Sequence, residues 1–193
     1  MSSGPAEHHR RSVRLKGFDY AQAGGYFVTV CADKRRPVFG RISEGKLVLN
    51  ARGQIVRACW QEIPRHFPQT ELDAFVVMPN HVHGVIVIHE QTDGRLSGDV
   101  GAQHAVPLQS EKASSARAFG ELPARSLPAI MRSFKSAVTR RIRERGGRRM
   151  RVWQRGYYEH VIRNNDDLND IRRYIVDNPA RWATDSENPD AET

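Results

Sequence analysis

Only two cysteines, Cys31 and Cys59, occur among the 193 residues, each in an apolar stretch and without CxxC spacing. That scarcity excludes a disulfide framework and a cysteine zinc site, and fits two small core residues of a reduced, cytosolic protein. Long apolar runs are missing too: stretches such as Val85 to Ile88 fall far below the ~20 residues that a membrane span needs. The polar opening MSSGPAEHHRRS lacks the apolar stretch of a signal peptide, so the expected location is the cytoplasm, without a membrane partner. An acidic excess is likewise absent. Thirty Lys and Arg stand against twenty-two Asp and Glu, with a pI near 10.0, and such a field attracts polyanions. Charge alone would suit a ribosomal or a membrane-surface protein equally well. No internal repeat is visible.

What is present suggests one domain with loose ends. The chain is long enough for a single compact core. Residues 1–12 are polar and residues 184–193 are acidic, so both read as disordered tails around a domain of residues 13–183. Tyr26 to Cys31 reads as a strand entered through Gly24-Gly25, and Lys46 to Asn50 as a short second one. Ile55, Val56, Cys59, Trp60 and Ile63 recur at helical spacing before Pro68. Leu72 to Met78 and Val82 to Ile88 are strand-like and joined by Pro79-Asn80, a turn dipeptide. Residues 89–125 lack periodicity and read as a long loop or an insertion. From Leu127 the residues Ile130, Met131, Phe134, Val138 and Ile142 mark a second helix, ended by Gly146-Gly147. Tyr157 to Ile162 is a possible strand, and Asp166 to Asn178 a third helix stopped by Pro179. This order predicts an α+β fold, a ferredoxin-like βαββαβ antiparallel sheet with one additional C-terminal helix. Because Val85 to Ile88 is continuously apolar, both faces of that strand should be covered, the second by the third helix.

His81 and His83 lie two apart at a strand start, so their side chains share a face and can bind one divalent ion. For an isolated HxH the plainer reading is two polar histidines at a strand end. His8, His9, His66, His89 and His104 flank or occupy loops and tails and have no partner at ligand spacing. What raises the pair is its surroundings, MPNHVHGVIVI, and the later helix bearing Tyr174 and Asn178 one turn apart. If that helix crosses the histidine face, Asn178 can supply an oxygen ligand and Tyr174 can point at a bound phosphate. A metal would polarise the phosphoryl oxygen while the phenolate attacks phosphorus, conserving bond energy for rejoining. Pro179 is expected to push Asn178 away from helical geometry.

The runs MPNHVHG, WQRGYYEHVIRN and RRYIVDNPARW, in that order, resemble the single-tyrosine HUH transposases, most closely the REP-associated tyrosine transposases of bacteria. The resemblance extends from about Arg11 to Trp182. It implies that His81 and His83 are the metal ligands, that Asn178 occupies the third-ligand position and that Tyr174 is the nucleophile. The implied activity is Mg2+- or Mn2+-dependent cleavage and strand transfer of single-stranded DNA near a hairpin, through a 5′-phosphotyrosine. It would be carried out by a monomer or a homodimer associated with the nucleoid.

Other groups compete for these roles. Tyr157 and Tyr158 point to opposite faces of a strand, giving one core and one surface aromatic. Asp170 shares the face of Tyr174 and can assist there, or can simply favour the helix dipole. Glu159 and His160 are possible supporting groups, with a structural histidine the plainer reading. Between Arg132 and Arg155 stand ten cations, Arg132, Lys135, Arg140, Arg141, Arg143, Arg145, Arg148, Arg149, Arg151 and Arg155, against one acid, Glu144. That density suits a phosphate backbone, and Trp153 and Tyr157 can stack on unpaired bases, with Trp153 equally suited to the core. Arg10, Arg11, Arg14 and Lys16 can reach DNA or merely solubilise the N-terminus. Two rival functions remain: a non-catalytic single-stranded nucleic-acid-binding module, which would need exposed aromatics on the central strands, and a metal-dependent nuclease that uses water.

Overall fold

The structure is a computed structural model that describes residues 22–90, 126–146, 150–185 and 187–189. Four strands, β1 (Gly24–Cys31), β4 (Thr70–Val77), β5 (His81–Ile88) and β6 (Tyr158–Ile162), form one antiparallel sheet in the order β4-β5-β1-β6. That order is the ferredoxin-like one: the two strands flanking the first helical segment are separated by a third, antiparallel to both. A hairpin, β2 (Gly40–Ser43) and β3 (Lys46–Leu49), is inserted after β1. Its turn has Glu44 at φ 52° and Gly45 at φ 69°, the paired positive φ values of the tight turns that match strand twist. Asn50, at the end of the expected second strand, caps helix α1 (Ala51–Gln61) by accepting from the backbone N–H groups of Arg52 and Gly53.

Helix α1, the short α2 (Ile63–His66) and the long α3 (Leu127–Glu144) cover one face of the sheet. The alternate residues Val82 and Ile86 of β5 and Val28 and Val30 of β1 point into that layer, against Trp60, Ile130, Met131 and Phe134. Trp60 settles directly over Gly84, where an added Cβ would meet its ring at 2.3 Å. Glycine at that place in HVHGVIVI therefore allows the helix layer to approach the sheet. A bidentate pair between Arg141 and Glu62, 2.6 Å and 3.0 Å, joins α3 to the end of α1.

Helix α4 (Asn165–Asp177) covers the other face. Two residues separate it from β6, and Asn164 caps it by accepting from the Asp167 N–H. Asp166 and Asp167 in its first turn favour the positive end of the helix dipole. Ile175, Leu168 and Ile171 pack on Phe27, Val85, Val87 and Ile162. Arg172 bonds both oxygens of Asp73, where β4 slips register against β5. The central strand β5 is thus covered on both sides, as its apolar run predicts. Among the described residues no helix is long and apolar enough to cross a membrane. The expected loop or insertion lies, apart from His89 and Glu90, outside the described residues, as do residues 1–12.

Candidate active site

Side chains alternate along β5, so His81 and His83 share the α4 face with Val85 and Val87. Both imidazoles are buried, 4.3 Å apart between ring centres. Each has its Nδ1 occupied. Asn80 Oδ1 lies 2.7 Å from Nδ1 of His81, and Thr29 Oγ1 lies 2.8 Å from Nδ1 of His83. Asn80 is itself oriented, because its amide N–H groups donate to the carbonyls of Arg35 (2.9 Å) and Glu187 (2.6 Å). With its donors spent there, Asn80 must accept from Nδ1–H of His81, and the Nε2 lone pair of His81 faces inward. Nε2 of His83 lies 3.2 Å from the Tyr174 hydroxyl.

Several polar atoms here are left unpaired. Nε2 of His81, Oδ1 of Asn178 and Oδ2 of Asp185 are buried polar atoms without a hydrogen-bond partner, a costly arrangement for a site that holds nothing. Nε2 of His81 and Oδ2 of Asp185 are 3.9 Å apart, and ligand atoms from His81, His83 and Asp185 all lie within 4.8 Å of one another. Two imidazole nitrogens with a carboxylate form a donor set that suits a divalent cation, and the Asn178 amide lies beside the Tyr174 phenol. Burial holds both histidines far below the usual imidazole range, to about 3, so at neutral pH each is uncharged and able to offer a lone pair. Burial and the Asp185 carboxylate push the Tyr174 phenol above its ordinary value, and the Asn178 amide beside it pulls the other way. Tyr174 remains 41% exposed, open to a substrate on its outer side.

Asp185 corrects the reading of the C-terminus. Composition placed it in an unpacked acidic tail, yet it is buried, and the residues around it are anchored by polar contacts rather than apolar ones. Trp182 lies 6.1 Å from His81 between ring centres, Glu187 pairs with Arg35 at 2.9 Å, and the Glu187 carbonyl holds Asn80. Asn178 is a second correction: despite Pro179 it keeps helical angles, φ −56° and ψ −42°. The turn after it, with the Arg181 N–H donating to the carbonyls of Asp177 and Asn178, holds it there. Neither Asp185 nor Asn80 stood out in the sequence. For Asn80 a signal existed, its position directly before the HxH, but a turn dipeptide accounted for it.

The remaining candidates divide. Asp170 is exposed and pairs with Arg173, away from the histidines. His160 is tied to Asp167 at 2.9 Å. Arg132, Arg140, Arg143, Arg145, Arg151 and Arg155 are exposed. Lys135 donates to the carbonyls of Gln154 and Gly156, and Arg141 is engaged by Glu62. Arg148 and Arg149 lie outside the described residues. Trp153 is buried and donates to the Lys135 carbonyl.

A histidine pair on an inner strand of a ferredoxin-like sheet, faced by a helix that brings a tyrosine to within hydrogen-bonding distance, is the arrangement that the resemblance to the HUH transposases implies. Comparison with known proteins agrees. An uncharacterised protein of Haemophilus influenzae is 40% identical over 178 residues, 92% of each chain. A second protein of that organism, named "Putative REP-associated tyrosine transposase", is 25% identical over 163 residues, covering 84% of this chain and 74% of its own. A solved structure described as a REP-associated tyrosine transposase bound to a REP hairpin shares the fold, with a TM-score of 0.54 and 21% identity over 89% of this chain and 73% of that one. No family model matches. The chain thus belongs to one family with the uncharacterised Haemophilus influenzae protein, and it resembles REP-associated tyrosine transposases in sequence and in fold.

Proposed function

We propose that the protein is a metal-dependent single-strand DNA endonuclease and strand transferase that acts beside DNA hairpins, with Tyr174 as nucleophile. The observation that carries this reading is the Tyr174 hydroxyl 3.2 Å from Nε2 of His83, next to the unpartnered atoms of His81, Asn178 and Asp185. His81, His83 and Asp185, with Asn178 as a further oxygen donor, would hold Mg2+ or Mn2+. Such an ion withdraws charge from a phosphate and polarises its oxygen. Tyr174 Oη forms a bond to phosphorus as the bond to the 3′ oxygen breaks. The phenolic proton passes to the departing oxygen through the site, leaving a 5′-phosphotyrosine and a free 3′ hydroxyl. Attack by another 3′ hydroxyl reverses the sequence and joins strands.

The hairpin reading is supported by the relative described as bound to one and by a groove of about 500 Å³ lined by Arg140, Arg143 and Arg151. Incubation with labelled, hairpin-flanked single-stranded DNA and Mn2+ tests the proposal. A covalent protein–DNA adduct is expected, lost in Tyr174→Phe. Cleavage that survives this substitution would point to water as the nucleophile, and binding without cleavage to a non-catalytic module.

A further inference from the structure

Tyr158 stands outside the chemistry just described, yet it shares a cross-strand row with His83. Thr29 of β1 is the register partner of both: of His83 on β5 and of Tyr158 on β6. Directly paired residues project to the same face, so Tyr158 lies on the histidine side of the sheet, two strand spacings or about 10 Å from His83. Its nearer neighbours in the row are closed. Thr29 is 7% and His83 2% exposed, whereas Tyr158 is 45% exposed. No described element covers it, because α4 runs from the far end of β6 toward β4, where Arg172 bonds Asp73.

The surroundings are aromatic. Phe27 stacks on His83 at 5.4 Å between ring centres. Tyr174 and Tyr158 both meet Phe27 edge-on, at 6.1 Å and 6.4 Å. The two tyrosines are therefore fixed by one ring, each leaving a large part of its own surface open. An exposed aromatic on an edge strand, held rigidly beside a phosphate-attacking group, has the properties of a platform for an unpaired base. Duplex DNA would not use it, since its bases are already stacked.

We propose that Tyr158 is the stacking subsite for the unpaired nucleobase adjoining the phosphate that Tyr174 attacks, so that it positions the single-stranded flank. This rests on the function proposed above. The contact is through the ring face and needs no hydroxyl, so it holds the flank without reading its sequence.

The test uses the full chain carrying Tyr174→Phe, which leaves DNA intact, and a hairpin-flanked oligonucleotide with the fluorescent base 2-aminopurine placed at successive flank positions. One position should be quenched on binding. Adding Tyr158→Ala should abolish that quenching and weaken binding by roughly 10-fold, within the loss expected for one base–aromatic stack. Tyr158→Phe should retain both. Quenching and affinity unchanged in Tyr158→Ala would overturn the subsite, as would an equal loss in Tyr158→Phe, which would assign the effect to the hydroxyl. Adduct formation by the otherwise wild-type chain is scored separately. Its absence alongside Tyr158-dependent quenching sinks the proposed chemistry while upholding the subsite, and adduct formation without any quenched position does the reverse.

Discussion

At the scale of single residues, Asn80 shows how much of the site is built behind the ligands. It touches no substrate in the proposed reaction. Its oxygen nonetheless fixes the tautomer of His81, and its two N–H groups join the backbone at Arg35 to the C-terminal segment at Glu187. Partners of this kind are worth about 10- to 100-fold in metal affinity. Asn80→Ala is expected to lower Mn2+ affinity by that order, measured by calorimetric titration, while Asn80→Asp retains the acceptor and loses less. The histidines carry a second prediction. Burial lowers their pKa values from 6.5 to about 3, so between those values the unfolded chain binds protons that the folded one does not. Their contribution to stability is complete above pH 6.5 and is lost as pH falls toward 3. In the presence of a chelator, the unfolding temperature should therefore decline between pH 7 and pH 5, before the carboxylates with lowered pKa values, Glu62, Asp73 and Asp167, begin to lose their contribution. His83→Gln should flatten that slope, and an unchanged slope would count against the buried neutral pair.

At the scale of elements, the position of α4 decides whose tyrosine serves which histidines. Only two residues connect it to β6, Ile175 is buried on the chain's own Phe27 and Val85, and Arg172 clamps it to Asp73. Reaching a neighbouring subunit would break all three. We expect Tyr174 to act within its own chain: a mixture of Tyr174→Phe and His81→Ala proteins should form no covalent adduct, and recovery in the mixture would show exchange between subunits. This helix was legible in the sequence because Leu168, Ile171 and Ile175 recur at its period. The strands of the sheet were legible from their β-branched and aromatic residues and from the turn signals Gly24-Gly25 and Pro79-Asn80. Strand β2 was not, since its four residues bury none of their side chains fully and its hairpin depends on backbone geometry at Glu44 and Gly45. Asp185 was not legible either. What buries it is a set of contacts with residues a hundred positions earlier, and an acidic stretch carries no periodic trace of such contacts.

At the scale of the whole molecule, the histidine site and the arginine-lined groove lie at one end of the sheet. His81 is the register partner of Cys31, and the segment of Val152 to Gln154 bonds the backbone at Cys31 and Asp33. The groove between that segment and α3 therefore opens at the same end as the histidines, on the opposite side of the sheet. Its exposed cations are Arg140, Arg143 and Arg151, the first and last only loosely balanced by Glu144 at 3.9 Å and Asp33 at 4.0 Å. Lys135 and Arg141, spent on carbonyls and on Glu62, contribute field but no free donor fork. If the groove holds the hairpin stem, each arginine that meets a phosphate displaces condensed counterions. Removing one should then reduce the slope of log affinity against log salt by about 0.9. Arg143→Ala and Arg151→Ala are expected to flatten that slope and weaken hairpin binding, while adduct formation on saturating substrate survives. Arg141→Ala should instead lower the unfolding temperature, because it leaves Glu62 without its partner, and should change the slope little. Equal slopes in all of these variants would move the stem to another face and leave the histidine site where it is.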